Sequence, residues 1–269
     1  MLRFYKYSGA GNCFVVIDGR IMDASRFKRP DVVHALCLQN GTDGLMILEN
    51  SQEADFRMEF FNPDGSSGMM CGNGGRCIVA FADLLGVKPF HSREYVFIAP
   101  DGLHRAEILA HMGEAKTVRL GMHDVAGAEP QPEGYFLDTG ARHLVTFVPD
   151  ALTVDVASEG ARLRRDPRFA PQGTNVDFVS VDPDGSLRVR TFEKGVEGET
   201  LACGTGITAS AMAACLRGIP PGEEEDGVLR YTVHACQDDL EVDFRRSGEG
   251  FSEVHLTGPT LCEGDISEE

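Results

Sequence analysis

Cys71 and Cys203 each open a glycine-rich turn of one design, Cys71-Gly72-Asn73-Gly74-Gly75 and Cys203-Gly204-Thr205-Gly206. The runs behind them, Ile78 to Leu85 and Ile207 to Ala214, read as helix. A thiol at a helix start sits in the positive potential of unpaired N–H groups and aligned peptide dipoles. That lowers its pKa and raises its thiolate fraction. Two such thiols facing one substrate make a two-base device, one taking a proton from carbon and the other returning one to the opposite face. The carbon alpha to an amino-acid carboxylate is a very weak acid, so charge building there must be stabilised in the transition state. The small residues of both turns expose N–H groups able to grip such a carboxylate. No lysine stands out as a pyridoxal phosphate anchor, and no dinucleotide loop follows a βαβ pattern. The competing reading is two buried core thiols, which the paired glycine context disfavours.

Strands must carry these turns. Phe14 to Ile17, Leu45 to Leu48, Phe56 to Phe61, Tyr95 to Ile98, His104 to Leu109 and Lys116 to Leu120 are strand-like, the third alternating apolar and polar. The opening residues Met1 to Tyr7 also read as a strand and lack a signal-peptide core. Helices are expected over Asp31 to Leu38, Cys77 to Leu85, Val154 to Leu163 and Ile207 to Arg217. The Gly-, Pro- and Glu-rich stretch Ala126 to Gly134 reads as a linker. The second half rehearses the first: Gly11 to Asp18 resembles Gly173 to Asp182, and the strand ending at Phe61-Asn62 resembles the one ending at Phe192-Glu193. Expected is an α+β fold of two pseudo-symmetric domains, 1–124 and 125–258, with the tail 259–269 able to return to the first.

The chain has 269 residues and a formal net charge of −17, which argues against nucleic acid. No apolar run has the length of a membrane span, so the cytoplasm is the expected location. Eight cysteines, with no Cys-x-x-Cys pair, give little support to zinc, a thioredoxin-like motif or a disulfide scaffold. Cys37, Cys215, Cys236 and Cys262 read as buried small hydrophobes; a Cys71–Cys77 disulfide is the weaker reading. The acidic run Glu223 to Asp226 reads as an exposed loop. His34, His91, His104, His111, His123, His234 and His255 show no ligand spacing, and no metal is expected.

The chain resembles the pyridoxal-phosphate-independent diaminopimelate epimerases. The resemblance rests on Gly9-Ala10-Gly11-Asn12, Phe61-Asn62-Pro63-Asp64-Gly65, the block from Cys71 to Cys77, Gly173-Thr174-Asn175, Phe192-Glu193-Lys194-Gly195 and the block from Glu199 to Gly206. It implies two similar domains, each a barrel-like, mostly antiparallel sheet around a central helix, with the active site between them. It implies interconversion of LL- and meso-diaminopimelate, on the path to lysine and peptidoglycan, without a cofactor, and often a homodimer. Carried over by residue, Cys71 and Cys203 are the acid/base pair. His143 assists the first cysteine, and Glu193 assists the second or binds the substrate ammonium. Asn12, Asn62 and Asn175 bond the substrate, and the amides of Gly72-Asn73 and Gly204-Thr205 hold the carboxylate.

Three departures bear on the far end of the substrate. Ala141-Arg142 stands where the family has Asn-Pro or Ser-Pro, Lys194 where it has arginine, and Cys13 where it has aspartate. An ammonium does not replace a bidentate guanidinium, so Arg142 is a candidate second cation. Taken singly, His143 reads equally as a structural histidine, Glu193 as a turn charge, Asn12, Asn62 and Asn175 as turn residues, and Arg76 as half of an ion pair. Three alternatives stay open: a racemase of another amino acid, a non-catalytic binding relative and a redox dithiol protein.

Overall fold

The computed structural model describes residues 3–21, 23–68, 70–90 and 93–266. Met1 and Leu2 of the expected first strand, His91 and residues 267–269 of the tail lie outside them. The chain divides into two compact units, 1–120 with 258–269, and 121–257. Among the described residues, four α-helices among many strands make it α+β. Among the described residues no helix is long and apolar enough to cross a membrane.

In the first unit, β1 (Phe4–Gly9) and β2 (Asn12–Asp18) form a hairpin. Helix α1 (Pro30–Asn40) crosses over to β3 (Leu45–Glu49), which lies parallel to β2. Strand β4 (Phe56–Phe61) returns antiparallel to β3. Helix α2 (Gly72–Leu84) leads to β5 (Glu94–Ala99), parallel to β4, and hairpins add β6 (Gly102–Met112) and β7 (Ala115–Gly121). The end of the last strand pairs with both β7 and β1 and closes the ring.

The second unit repeats this order after a short strand β8 (Glu129–Gln131). Strands β9 (Gly134–Asp138) and β10 (Arg142–Phe147) form a hairpin; α3 (Val156–Arg164) crosses to the parallel β11 (Asn175–Val181); β12 (Leu187–Glu193) returns. The short β13 (Gly198–Thr200) flanks β12. Helix α4 (Gly204–Leu216) is followed by β14 (Glu223–Glu225) and β15 (Val228–His234), the latter parallel to β12, then β16 (Asp239–Ser247) and β17 (Gly250–Asp265).

This order corrects the internal register. The strand with α1 behind it, β2, corresponds to β10, and β3 corresponds to β11. Gly11 to Asp18 therefore does not match Gly173 to Asp182, although both read Asn-x-(x)-Phe-Val. Local strand chemistry is shared by many strands, whereas the crossover helix and the parallel partner define the position. Two further expectations change. The stretch Ala126 to Gly134 holds β8, paired with β9, and Glu223–Glu225 is a fully exposed strand on β15. Charge on such a short strand discourages further pairing.

Both central helices begin at the glycine directly after the cysteine, earlier than the apolar runs suggest. Glycine is a poor helix former in isolation, but close packing demands it here. A Cβ on Gly74 would stand 3.3 Å from both Cys71 Sγ and Met46 Sδ, and one on Gly75 would stand 3.0 Å from Leu120. Nearly every residue of the two helices is buried, Arg76 and Asn73 of α2 included. Phe81 of α2 packs against Tyr5 and Tyr7, with ring centroids 5.3 and 5.7 Å away. Burying one such ring contributes about 2–3 kcal/mol, so each helix start is held by the core behind it.

Candidate active site

Cys71 is the N-cap of α2. Its backbone is extended, and its Sγ accepts the Gly74 N–H at 3.2 Å. The Gly75 N–H reaches the Cys71 carbonyl at 2.8 Å, closing the first turn. Behind it, fully buried Arg76 donates to the Gly72 carbonyl (3.2 Å) and Asn73 Oδ1 (2.9 Å). Asn73 Nδ2 donates to Asn12 Oδ1 at 2.7 Å, and Asn12 Nδ2 to Asp43 Oδ2 at 3.3 Å. The same Asp43 oxygen accepts the Cys13 N–H at 2.8 Å. A line of hydrogen bonds thus ties the Cys71 turn to β2. Asn62 lies apart from this line, in a tight turn where its Nδ2 donates to Ser66 Oγ at 3.0 Å.

Cys203 holds the same N-cap position on α4, also with extended backbone. No amide caps onto its sulfur, which lies 3.4 Å from Thr205 Oγ1 and within reach of the His143 ring. Thr205 Oγ1 lies 2.9 Å from His143 Nε2, and His143 Nδ1 lies 2.7 Å from Asp177 Oδ2. Thr191 donates its hydroxyl to Asp177 Oδ1 at 2.7 Å. His143 and Asp177 are wholly buried. Gly206 presses against both: a Cβ there would collide with Asp177 Oδ1 and stand 3.1 Å from His143 Cε1. Burial alone would push the imidazolium down, but the Asp177 carboxylate and the Cys203 sulfur outweigh it and hold His143 up at about 10. The resemblance assigns this histidine to the first cysteine; its hydrogen bonds within its own unit run to the turn of the second.

Asn175 links this group to the following turn. Its Oδ1 accepts the Lys194 N–H at 2.8 Å, and its Nδ2 donates to the Arg142 carbonyl at 3.1 Å, 3.4 Å from His143 Nε2. Glu193, half-buried at the end of β12, has its carboxyl pushed up by burial against the opposing pull of Thr200 and His143. The Lys194 side chain is exposed. The Arg142 guanidinium is committed locally: Nη1 donates to the Phe169 carbonyl (3.3 Å) and Gln172 Oε1 (3.0 Å), and the group lies 5.0 Å over the Phe136 ring.

The sequence reading missed Asp177, Thr191 and the hydroxyl role of Thr205. One signal was present: Asp177 is an acid inside Asn175-Val176-Asp177-Phe178-Val179, a strand buried on both faces. An acid almost never occupies such a place without a partner. The other cysteines are free thiols. Buried Cys77 has its thiol pushed far up by desolvation, which makes it inert. Cys236 is exposed and Cys215 half-buried, against expectation. Cys236 lies in the tight turn between β15 and β16, where the backbone reverses at the surface.

The His143 pair makes stability depend on pH in a fixed direction. His143 is held from its ordinary 6.5 up to about 10, so its contribution is complete below about pH 6.5 and is lost as pH rises through about 10. The thermal midpoint is expected to fall across that window. His143→Gln should flatten the fall, as checked by melting curves at half-unit pH steps.

A family model described as diaminopimelate epimerase matches residues 4–121 and 135–258. Among curated relatives, the diaminopimelate epimerase of Flavobacterium psychrophilum is 37% identical over 261 residues, covering 96% of each chain. That of Chlorobaculum tepidum is 39% identical over 263 residues, covering 94% of this chain and 95% of its own. That of Aquifex aeolicus is 36% identical, covering 100% and 99%. Among solved structures, a phenazine biosynthesis protein of the PhzF family from Bacillus anthracis matches with a TM-score of 0.69 at 14% identity, covering 98% of each chain. A probable proline racemase from Agrobacterium radiobacter matches with a TM-score of 0.67 at 16% identity, covering 100% of this chain and 93% of that one. At such identities the structures show a shared fold.

Proposed function

The chain belongs to the diaminopimelate epimerase family and is an isomerase; from that membership we propose that it interconverts LL- and meso-diaminopimelate by a two-thiol mechanism, in the biosynthesis of lysine. The observation that carries the mechanism is the matched placement of two cysteines as N-caps of two buried helices, one in each unit. In the LL direction Cys203 takes the α-proton and Cys71 delivers one to the opposite face; the roles exchange in reverse. The amides of Gly72-Asn73 and Gly204-Thr205 meet the carboxylate, where helix-start N–H groups offset the growing negative charge. His143 assists Cys71, and Glu193 assists Cys203 or meets the substrate ammonium. Asn12, Asn62 and Asn175 supply hydrogen bonds, and Lys194 supplies the cation for the far carboxylate.

A second reading, a racemase of another amino acid, draws on one observation. With Arg142 committed to Phe169 and Gln172, the far end is left to Lys194, a point charge without the bidentate fork of arginine. The two readings separate in deuterium oxide. Incubation with LL-diaminopimelate should give α-deuteration and the meso isomer, at least about a hundredfold faster than with lysine, histidine or proline. Faster exchange with one of those would move the assignment to it, and no exchange with any would mark a binding relative.

A further inference from the structure

The turn between β12 and β13 carries Lys194, and a set of contacts fixes its course. The Lys194 N–H donates to Asn175 Oδ1 at 2.8 Å. The Glu197 N–H returns to the Glu193 carbonyl at 2.8 Å. Glu197 Oε1 accepts the Gly195 N–H at 3.2 Å and Arg164 Nε at 2.7 Å. Its second oxygen accepts from Arg165 Nη2 at 3.4 Å. Arg164 ends α3, and its guanidinium also lies against Gly173, where a Cβ would stand 2.4 Å from Nη1. One cation therefore touches both Gly173-Thr174-Asn175, which opens β11, and the turn over residues 193–197.

Glu197 holds this place against its backbone preference. Its φ is 56°, in the left-handed region that favours glycine or asparagine. Such strain persists only where the surrounding structure over-determines it. Stability is a weak reason for keeping a glutamate here. The Arg164 and Glu197 side chains are 21% and 37% exposed, and ion pairs so placed add little. What the pair does fix is the path of the chain on either side of Lys194. A lysine reaches its ligand through a long, freely rotating stem, so its backbone anchor is the part that can be preorganised. Glu193 needs no such help, since it is a strand residue paired with Gly198.

We propose that Arg164 and Glu197 are positioning residues: they clamp the turn over 193–197 against Gly173 and, by anchoring Lys194, set the affinity for the second carboxylate of the substrate. This rests on the reading of Lys194 as the cation at the far end of diaminopimelate. That carboxylate is remote from the reacting carbon, so fixing its cation strengthens ground state and transition state alike. Loss of the clamp therefore raises KM and leaves kcat nearly alone. Lysine is diaminopimelate without the second carboxylate, so any exchange at its alpha carbon is blind to the clamp.

The first test needs no substrate: amide hydrogen exchange of the full chain, followed over residues 193–198. Glu197→Asn tolerates the positive φ but is shorter and uncharged; Arg164→Met keeps the stem and drops the fork. Each should speed exchange in that segment at least about tenfold, with melting within about 2 °C of wild type. The variants cut the pair from opposite sides, so one suffices if the other does not fold. The second test is a cycle with Lys194→Ala. Each clamp variant should raise KM for diaminopimelate about tenfold with kcat within about twofold, and should add nothing on the Lys194→Ala background. Any α-deuteration of lysine should not change. Unchanged exchange over 193–198 in a folded variant overturns the proposal, as does faster exchange along the whole chain, which is general loosening. A KM rise that multiplies that of Lys194→Ala, or a KM that Lys194→Ala leaves unmoved, overturns the route through Lys194. A wild-type protein that does not turn over diaminopimelate ends the substrate assignment instead, and hydrogen exchange then decides the clamp alone.

Discussion

Alanine at either Cys71 or Cys203 is expected to lower diaminopimelate epimerisation by about 10³-fold or more, in both directions. One positioned acid or base contributes about 10²–10⁴ in rate. Inversion at carbon needs one group to remove a proton and another to deliver one from the opposite side, so neither thiol can stand in for the other. Serine should rescue neither, because a hydroxyl is too weak an acid to share the thiolate role. The two variants differ in what else they disturb. Cys71 Sγ caps α2 by accepting the Gly74 N–H, so Cys71→Ala should also cost about 0.5–1 kcal/mol of stability. Cys203 makes no such cap, and Cys203→Ala should melt close to wild type. Chiral chromatography of the product and a thermal scan read both effects. Either variant keeping more than a tenth of wild-type turnover would sink the two-thiol mechanism.

The parts of this arrangement visible in the sequence are those set by local chemistry. Cysteine followed by small residues marks a helix start because a close-packed first turn leaves no room for a Cβ, as Gly74 and Gly206 show. The alternation over Phe56–Phe61 gives β4 to the residue, since one face is buried and the other is not. What stayed hidden depends on non-local pairing. Asn12-Cys13-Phe14-Val15 and Asn175-Val176-Asp177-Phe178 look alike as strands, but one is the second strand of its unit and the other the third. Only the parallel partners, β3 for the first and β10 for the second, tell them apart. Asp177 was hidden for the same reason: its meaning lies in His143, 34 residues away on the neighbouring strand. Arg142 shows the opposite case. Its charge suggested ligand contact, and its side chain is instead tied to Phe169 and Gln172.

Arg76 decides whether the first cysteine is held as firmly as its surroundings imply. It is fully buried at the start of α2, where the helix dipole already presents positive charge. Placing a cation there is electrostatically adverse, so its retention calls for a return. Its hydrogen bonds supply one, gripping the Gly72 carbonyl and Asn73 Oδ1 on the turn Cys71 opens. Its charge adds a second, deepening the positive field at the Gly72 and Asn73 amides proposed to hold the substrate carboxylate. Arg76→Ala removes a large buried side chain and two charge-assisted hydrogen bonds, an expected loss of about 3–5 kcal/mol. The thermal midpoint should drop by about 10 °C. Arg76→Lys keeps the charge but not the fork; it should melt nearer wild type while kcat falls more than KM rises, because the turn and not the substrate has shifted. An Arg76→Ala protein melting within about 2 °C of wild type would show that the clamp is idle and that the core alone holds the Cys71 turn in place.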